Sequence, residues 1–207
     1  MMQSNEEWFV EMSEPHAWLL TADNLHEQAV LLYEQRGRSR LTRTFGDEHP
    51  QTWDAVDRSV FLLGGFALEN AIKAFLVYEH PEWISNGRLA KPLRSHSLVD
   101  LRRQSTTIPY RDRYTWVLRD FEEGLESWAR YPCGLTADTT DEQNIVSEPL
   151  WRAYLRLMRA YGKRLTRLIG SGWKGPHGWN GRWHITGEFL SMAPGRRACE
   201  RAAIYRV

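Results

Sequence analysis

Over residues 60–78 the chain carries apolar side chains on nearly every side of a helical wheel, and this breadth restricts the folds open to it. Val60, Leu63, Ala67, Ile72 and Phe75 recur at helical spacing, and Trp53 and Val56 continue that face towards the N-terminus. Phe61, Leu62, Phe66, Leu68, Ala71, Ala74 and Leu76 fill the other sides. A helix of this kind, predicted over about residues 50–78, needs neighbours all round it and belongs at the centre of a helical bundle. His80 followed by Pro81 ends it. The Gly64-Gly65 pair lowers its intrinsic stability, so the two glycines mark a kink or a close approach by another helix.

Other amphipathic segments surround this one. After Ser13, read as an N-cap ahead of Glu14 and Pro15, the residues Trp18, Ala22, Leu25, Ala29 and Leu32 form a stripe that fades near Arg36 and Gly37. Residues 37–49 read as a basic loop, with Arg36, Arg38, Arg40, Arg43 and His49 close to Gly46 and Pro50. Past a connection over 81–95, a short helix fits 96–104 through Leu98 and Leu101. Another fits 111–130 through Tyr114, Val117, Leu118, Phe121, Leu125 and Trp128. Residues 132–147 read as a polar loop. The last strong helix is predicted over 148–169, with Trp151, Tyr154, Leu155, Met158, Leu165 and Leu168 on its apolar side. No alternating β pattern breaks the series. The expected fold is all-α: an antiparallel four-helix bundle with a short extra helix over 13–170, then a Trp- and Gly-rich C-terminal appendage over 171–207. Within the appendage a short helix is anticipated over 196–205.

The net charge is +1, so no global field draws the chain to nucleic acid or a membrane, and any electrostatic function needs a local patch. Cys133 and Cys199, two cysteines far apart, make no disulfide framework and suggest a reducing compartment. No apolar run is read as approaching the ~20 residues of a membrane span. The acidic stretch 1–11 lacks the basic region of a signal peptide, so a cytoplasmic location without membrane contact is expected. Ten tryptophans supply large amphipathic side chains for core and interfaces. With the wide apolar surface of the central helix, they lead to the expectation of a homodimer.

Four segments in order resemble the HEPN domain family. Ala22-Asp23-Asn24-Leu25 followed by Ala29 is similar to the family's first helix. Phe66-Ala67-Leu68-Glu69-Asn70-Ala71-Ile72-Lys73-Ala74-Phe75-Leu76 is similar to its second-helix signature. His96-Ser97-Leu98-Val99-Asp100-Leu101 resembles its H-D-L-x-x-L motif, and Arg130-Tyr131-Pro132 its R-Y-P. These residues also have structural roles. Glu69 and Lys73 stand four apart with the acid first, as in a helical ion pair, and Arg130 suits a helix C-terminus. The resemblance implies a functional alternative, in which Glu69, Lys73, His96 and Arg130 converge on a groove that binds RNA or a nucleotide. It also implies a possible partner protein such as a nucleotidyltransferase, in a defence or toxin–antitoxin setting.

Some members of that family are metal-independent ribonucleases whose last helix carries an arginine and a histidine four to six residues apart. Here the last helix holds no histidine, which argues against cleavage and for a non-catalytic binding module. A displaced catalytic pair is the alternative: Arg43 with His49, or Arg94 with His96, the histidine moving the proton and the arginine steadying the phosphate. The chain lacks phosphate-loop, dinucleotide and H-E-x-x-H motifs, so no cofactor and no metal are expected. His177, His184 and Cys199 would meet a metal only if the appendage folded around it.

The last helix has a second face. Arg152, Arg156, Arg159, Lys163 and Arg167 step by three or four residues, and no acidic residue occurs from Leu150 through Gly187. Either this face is paired with acids such as Glu122 and Glu126, or it is a track for phosphates. Trp173, Trp179 and Trp183, interleaved with Lys174, Arg182 and His184, would extend such a track by stacking or clamp the appendage to the bundle.

Overall fold

The apolar segment forms the axis of the molecule. In the computed structural model, which describes residues 5–44, 46, 49–54, 56–110, 112–138, 140 and 145–191, six α-helices and two short hairpins follow one another. The helices are α1 (Asn5–Ser13), α2 (Pro15–Glu34), α3 (Asp57–Glu79), α4 (Leu98–Arg103), α5 (Thr115–Glu126) and α6 (Glu148–Ser171). Strands β1 (Arg40–Arg43) and β2 (Gln51–Asp54) pair antiparallel, as do β3 (Trp173–Lys174) and β4 (Asn180–Gly181). The fold is a multi-helix bundle with small additions. Helix α3 touches α2 along most of its length and also packs on α4, α5 and α6. Ala67, Leu68, Ala71, Ile72, Ala74, Phe75, Leu76 and Val77 are each fully buried.

By length and composition α3 is apolar enough to cross a membrane, contrary to the expectation that no run comes close, yet 78% of its most apolar window is buried inside the fold. The surface from which a homodimer was expected is therefore covered by helices of the same chain.

The glycine pair marks a close approach. A Cβ on Gly64 would stand 2.7 Å from the Phe121 ring, and one on Gly65 would stand 2.7 Å from Leu125, so α5 rests directly on the α3 backbone. Gly124 returns the arrangement, leaving room for Phe61, whose ring meets Trp128 edge-on at 4.3 Å. Phe121 continues the aromatic contact to Tyr154 on α6, 4.9 Å between centroids.

Several boundaries differ from expectation. Ser13 ends α1 by donating to the Phe9 carbonyl (2.6 Å), and the N-cap of α2 is Glu14. Helix α3 starts at Asp57, later than residue 50, because Gln51–Asp54 pair with Arg40–Arg43. Thr42 and Thr52 join hydroxyls across that pair at 3.0 Å, so the basic loop supplies the first strand of a hairpin. Helix α5 is shorter than the predicted 111–130; residue 111 lies outside the described residues. After Glu126 the chain turns, and the Arg58 guanidinium donates to the carbonyls of Trp128 (2.8 Å), Tyr131 and Pro132 (3.1 Å), tying that turn to the start of α3. Ser147 caps α6, accepting from Leu150 N at 3.3 Å. Beyond α6, Trp173 and Leu190 enter the common core at 3% and 0% exposure. The helix anticipated over 196–205 lies outside the described residues.

A polar pin sits at the C-terminal end of α3. The Glu79 carboxylate accepts from Ser105 Oγ (2.5 Å), from Thr106 N and Oγ1 (2.8 and 3.0 Å) and from Thr107 N and Oγ1 (3.0 and 2.5 Å). Burial pushes its pKa up, but these hydrogen bonds outweigh burial and leave it below the ordinary value. A depressed folded-state pKa means that the contribution to stability is complete above the unfolded glutamate range and is lost as pH falls through the folded value. Urea midpoints measured from neutral to acidic pH should therefore fall less steeply for Glu79→Gln than for the wild type; parallel curves would contradict the pin. Gly65→Val should cost about 1–3 kcal/mol in the same measurement through overpacking against Leu125.

Candidate functional site

Two groups of side chains come together as the sequence suggests, and they differ in character. The first is on α3. Lys73 Nζ donates to Glu69 Oε1 at 2.6 Å, and His96, just ahead of α4, places Nδ1 3.0 Å from Glu69 Oε2. Glu69 and Lys73 are 5% and 3% exposed, whereas 57% of the His96 side chain faces solvent. Lys73 also lies 5.7 Å from the centre of the Trp18 ring, and the exposed Arg130 guanidinium stands 5.8 Å over Phe66, one turn before Glu69. Glu69 thus ties together two of the three other residues, with Arg130 beside them. Both carboxylate oxygens are engaged and the ammonium is enclosed, so Glu69 and Lys73 lock α3 and the start of α4, while His96 and Arg130 present the outer surface.

The second group is the outer face of α6. Arg152, Arg156, Arg159, Lys163 and Arg167 are all exposed. Arg152 pairs with Glu148 at 2.6 Å, and Glu148 also accepts from the Tyr33 hydroxyl at 2.6 Å. Among the described residues Arg156, Arg159, Lys163 and Arg167 make no ion pair with an acid. The expected neutralising partner Glu122 is engaged elsewhere: it caps α4, accepting from Val99 N at 2.9 Å and from Ser97 Oγ at 3.2 Å. The same face borders a cleft of about 220 Å³, with Arg159, Lys163 and Arg167 on one side and residues of the 187–191 segment on the other.

The displaced catalytic pairs are placed differently. Arg43 lies on β1 with its guanidinium 5.4 Å over the Trp53 ring, and His49 is exposed in the connection to β2. Arg94 ends a short 3-10 turn, exposed, two residues from His96. His177 is held by the Ser85 carbonyl (2.6 Å), His184 is exposed and Cys199 lies outside the described residues. No cluster of three metal-ligating side chains occurs among the described residues. Trp179 and Trp183 act as clamps: Trp179 Nε1 donates to Glu14 Oε2 at 3.1 Å, and Trp183 stacks on His16 at 5.1 Å.

Sequence reasoning missed the polar interior of α2. Asp23 and His26 are 0% and 1% exposed; His26 Nδ1 stands 2.9 Å from the hydroxyl of Tyr154, and Asp23 Oδ1 accepts from Leu190 N at 2.7 Å. Burial raises the Tyr154 pKa well above the ordinary tyrosine value, so this hydroxyl stays protonated. The signal was spacing: Leu19, Ala22, His26, Ala29 and Val30 form the buried stripe, while Trp18, Leu25 and Leu32 lie at its edge.

Breaking the buried α3 pair should be costly. Glu69→Ala strands an enclosed ammonium and is expected to lose about 3–5 kcal/mol, whereas the double change Glu69→Leu with Lys73→Met should restore most of that loss. Urea denaturation of the three variants measures this, and a single-variant cost below about 1 kcal/mol would remove the structural role. No protein-family model matches the chain, and no curated protein or solved structure matches it either.

Proposed function

We propose that this chain is a HEPN-like helical module that binds single-stranded RNA through the outer face of α6 and does not cleave it. The observation that carries the proposal is the run of exposed cations Arg156, Arg159, Lys163 and Arg167, free of acidic partners among the described residues, on one rigid helix. A helix rise of 1.5 Å per residue spaces successive cations about 4.5–6 Å apart, a step that lets neighbouring side chains engage neighbouring phosphates. The HEPN-like reading rests on the sequence signatures, which fall on α2, on α3, at the start of α4 and just after α5. The lack of histidine on α6 and the engagement of His96 by Glu69 favour binding over cleavage.

Anisotropy of labelled single-stranded RNA tests this reading. Affinity should fall with salt with a log–log slope of roughly −3, the value for four phosphate contacts on a single strand. Arg156→Glu with Lys163→Glu should weaken binding more than about tenfold and flatten the slope. The RNA should remain intact without metal. Absence of salt-dependent binding would overturn the proposal, and cleavage abolished by His96→Ala would replace it with a ribonuclease.

A further inference from the structure

Residues 187–191 cross α6 beside the basic face, and two anchors hold them there. At Gly162 a Cβ would collide with the Phe189 carbonyl, so the strap touches the helix backbone directly. One residue on, the Leu190 side chain is fully buried and its N–H donates to the enclosed Asp23 carboxylate at 2.7 Å. Leu190 adopts φ 54°, a conformation that L-residues rarely occupy and that the surrounding packing sustains. The strap is therefore positioned by the bundle before any ligand arrives.

The resulting cleft has a definite charge. Arg159, Lys163 and Arg167 border it with Thr166, and Glu188 stands on the strap opposite them. Three cations and one carboxylate leave a formal +2. A phosphate monoester carries about −1.5 to −2 at neutral pH, whereas a phosphodiester inside a strand carries a single negative charge. Arg159 and Arg167 lie about one turn either side of Lys163, and all three border the same cleft. A volume of about 220 Å³ admits part of one nucleotide and excludes a duplex.

We propose that this cleft is a subsite for the phosphate monoester of a nucleotide, held by Arg159, Lys163 and Arg167 and walled by the strap. The inference rests on the reading of α6 as an RNA-binding face and adds to it a preference for a terminally phosphorylated single strand or for a free mononucleotide. Thr166 contributes a hydroxyl donor at the cleft. Glu188 disfavours a second anion beside the first.

The test compares one single-stranded RNA carrying a 5′-phosphate, a 3′-phosphate or no terminal phosphate, together with its duplex and with adenosine monophosphate as competitor. The wild-type protein should bind one phosphorylated form about tenfold more tightly than the unphosphorylated strand, as a charge-assisted contact implies. The duplex should bind no better than the unphosphorylated strand. Gly162→Ala, which displaces the strap, should abolish the preference while leaving salt-dependent binding. Lys163→Gln should also abolish it, and keeps the test valid if Gly162→Ala fails to fold. Arg156→Gln, outside the cleft, should weaken all the RNAs equally. Competition by the mononucleotide without a preference among RNA ends would assign the same site to free nucleotides. Binding of all RNAs with neither preference nor competition would overturn the subsite and leave the α6 track standing. Failure to bind any RNA or the mononucleotide would overturn both.

Discussion

The enclosure of α3 governs the rest of this molecule. A helix apolar on almost every side is stable in water only when other helices cover it, and α2, α4, α5 and α6 do so. The closest approach depends on the bare backbone at Gly64 and Gly65, where Phe121 and Leu125 of α5 occupy the space that side chains would fill. Once α5 is seated there, the aromatic contacts from Phe61 through Phe121 to Tyr154 set the position of α6. The outward direction of the basic face on α6 is thus a consequence of how its apolar face meets the axis.

Polar groups then fix the connections that the apolar contacts leave open. Glu69 bonds both Lys73 on its own helix and His96 at the start of α4. Glu79 gathers the turn at residues 105–107, and Arg58 gathers the turn at 128–132. Asp23 fastens the chain beyond α6 through Leu190 N. Each is a charged group holding backbone or side-chain partners from a distant segment, where an unpaired group would be costly. These acids are occupied inside the fold, and among the described residues Arg156, Arg159, Lys163 and Arg167 pair with none of them.

The long elements were legible because period is a strong signal over many turns. Helix α6 spans Glu148–Ser171 against a predicted 148–169, and the central position of α3 followed from its apolar breadth. The β1–β2 hairpin was not legible: its strands are four residues each, and β1 is exposed throughout, so no alternation of apolar and polar residues records it. The register of α2 was misread because Asp23 and His26 take inward positions that pattern reasoning gives to Trp18 and Leu25. At the site, the Glu69–Lys73 pair follows from a four-residue spacing, and the α6 stripe from repeated basic residues. The strap left no trace in the sequence, since its anchors are a carbonyl against Gly162 and a main-chain N–H on Asp23. Backbone contacts of that kind carry no side-chain signature.

We propose α6, and not the α3–α4 cluster, as the surface that meets nucleic acid. A residue-resolved NMR titration of the 24.2 kDa protein with single-stranded RNA tests it most directly. Shifts should concentrate at residues 156–167 and 187–191, with the amides around Glu69 and His96 unmoved. Shifts confined to the surroundings of Glu69, His96 and Arg130, or none at saturating RNA, would contradict it.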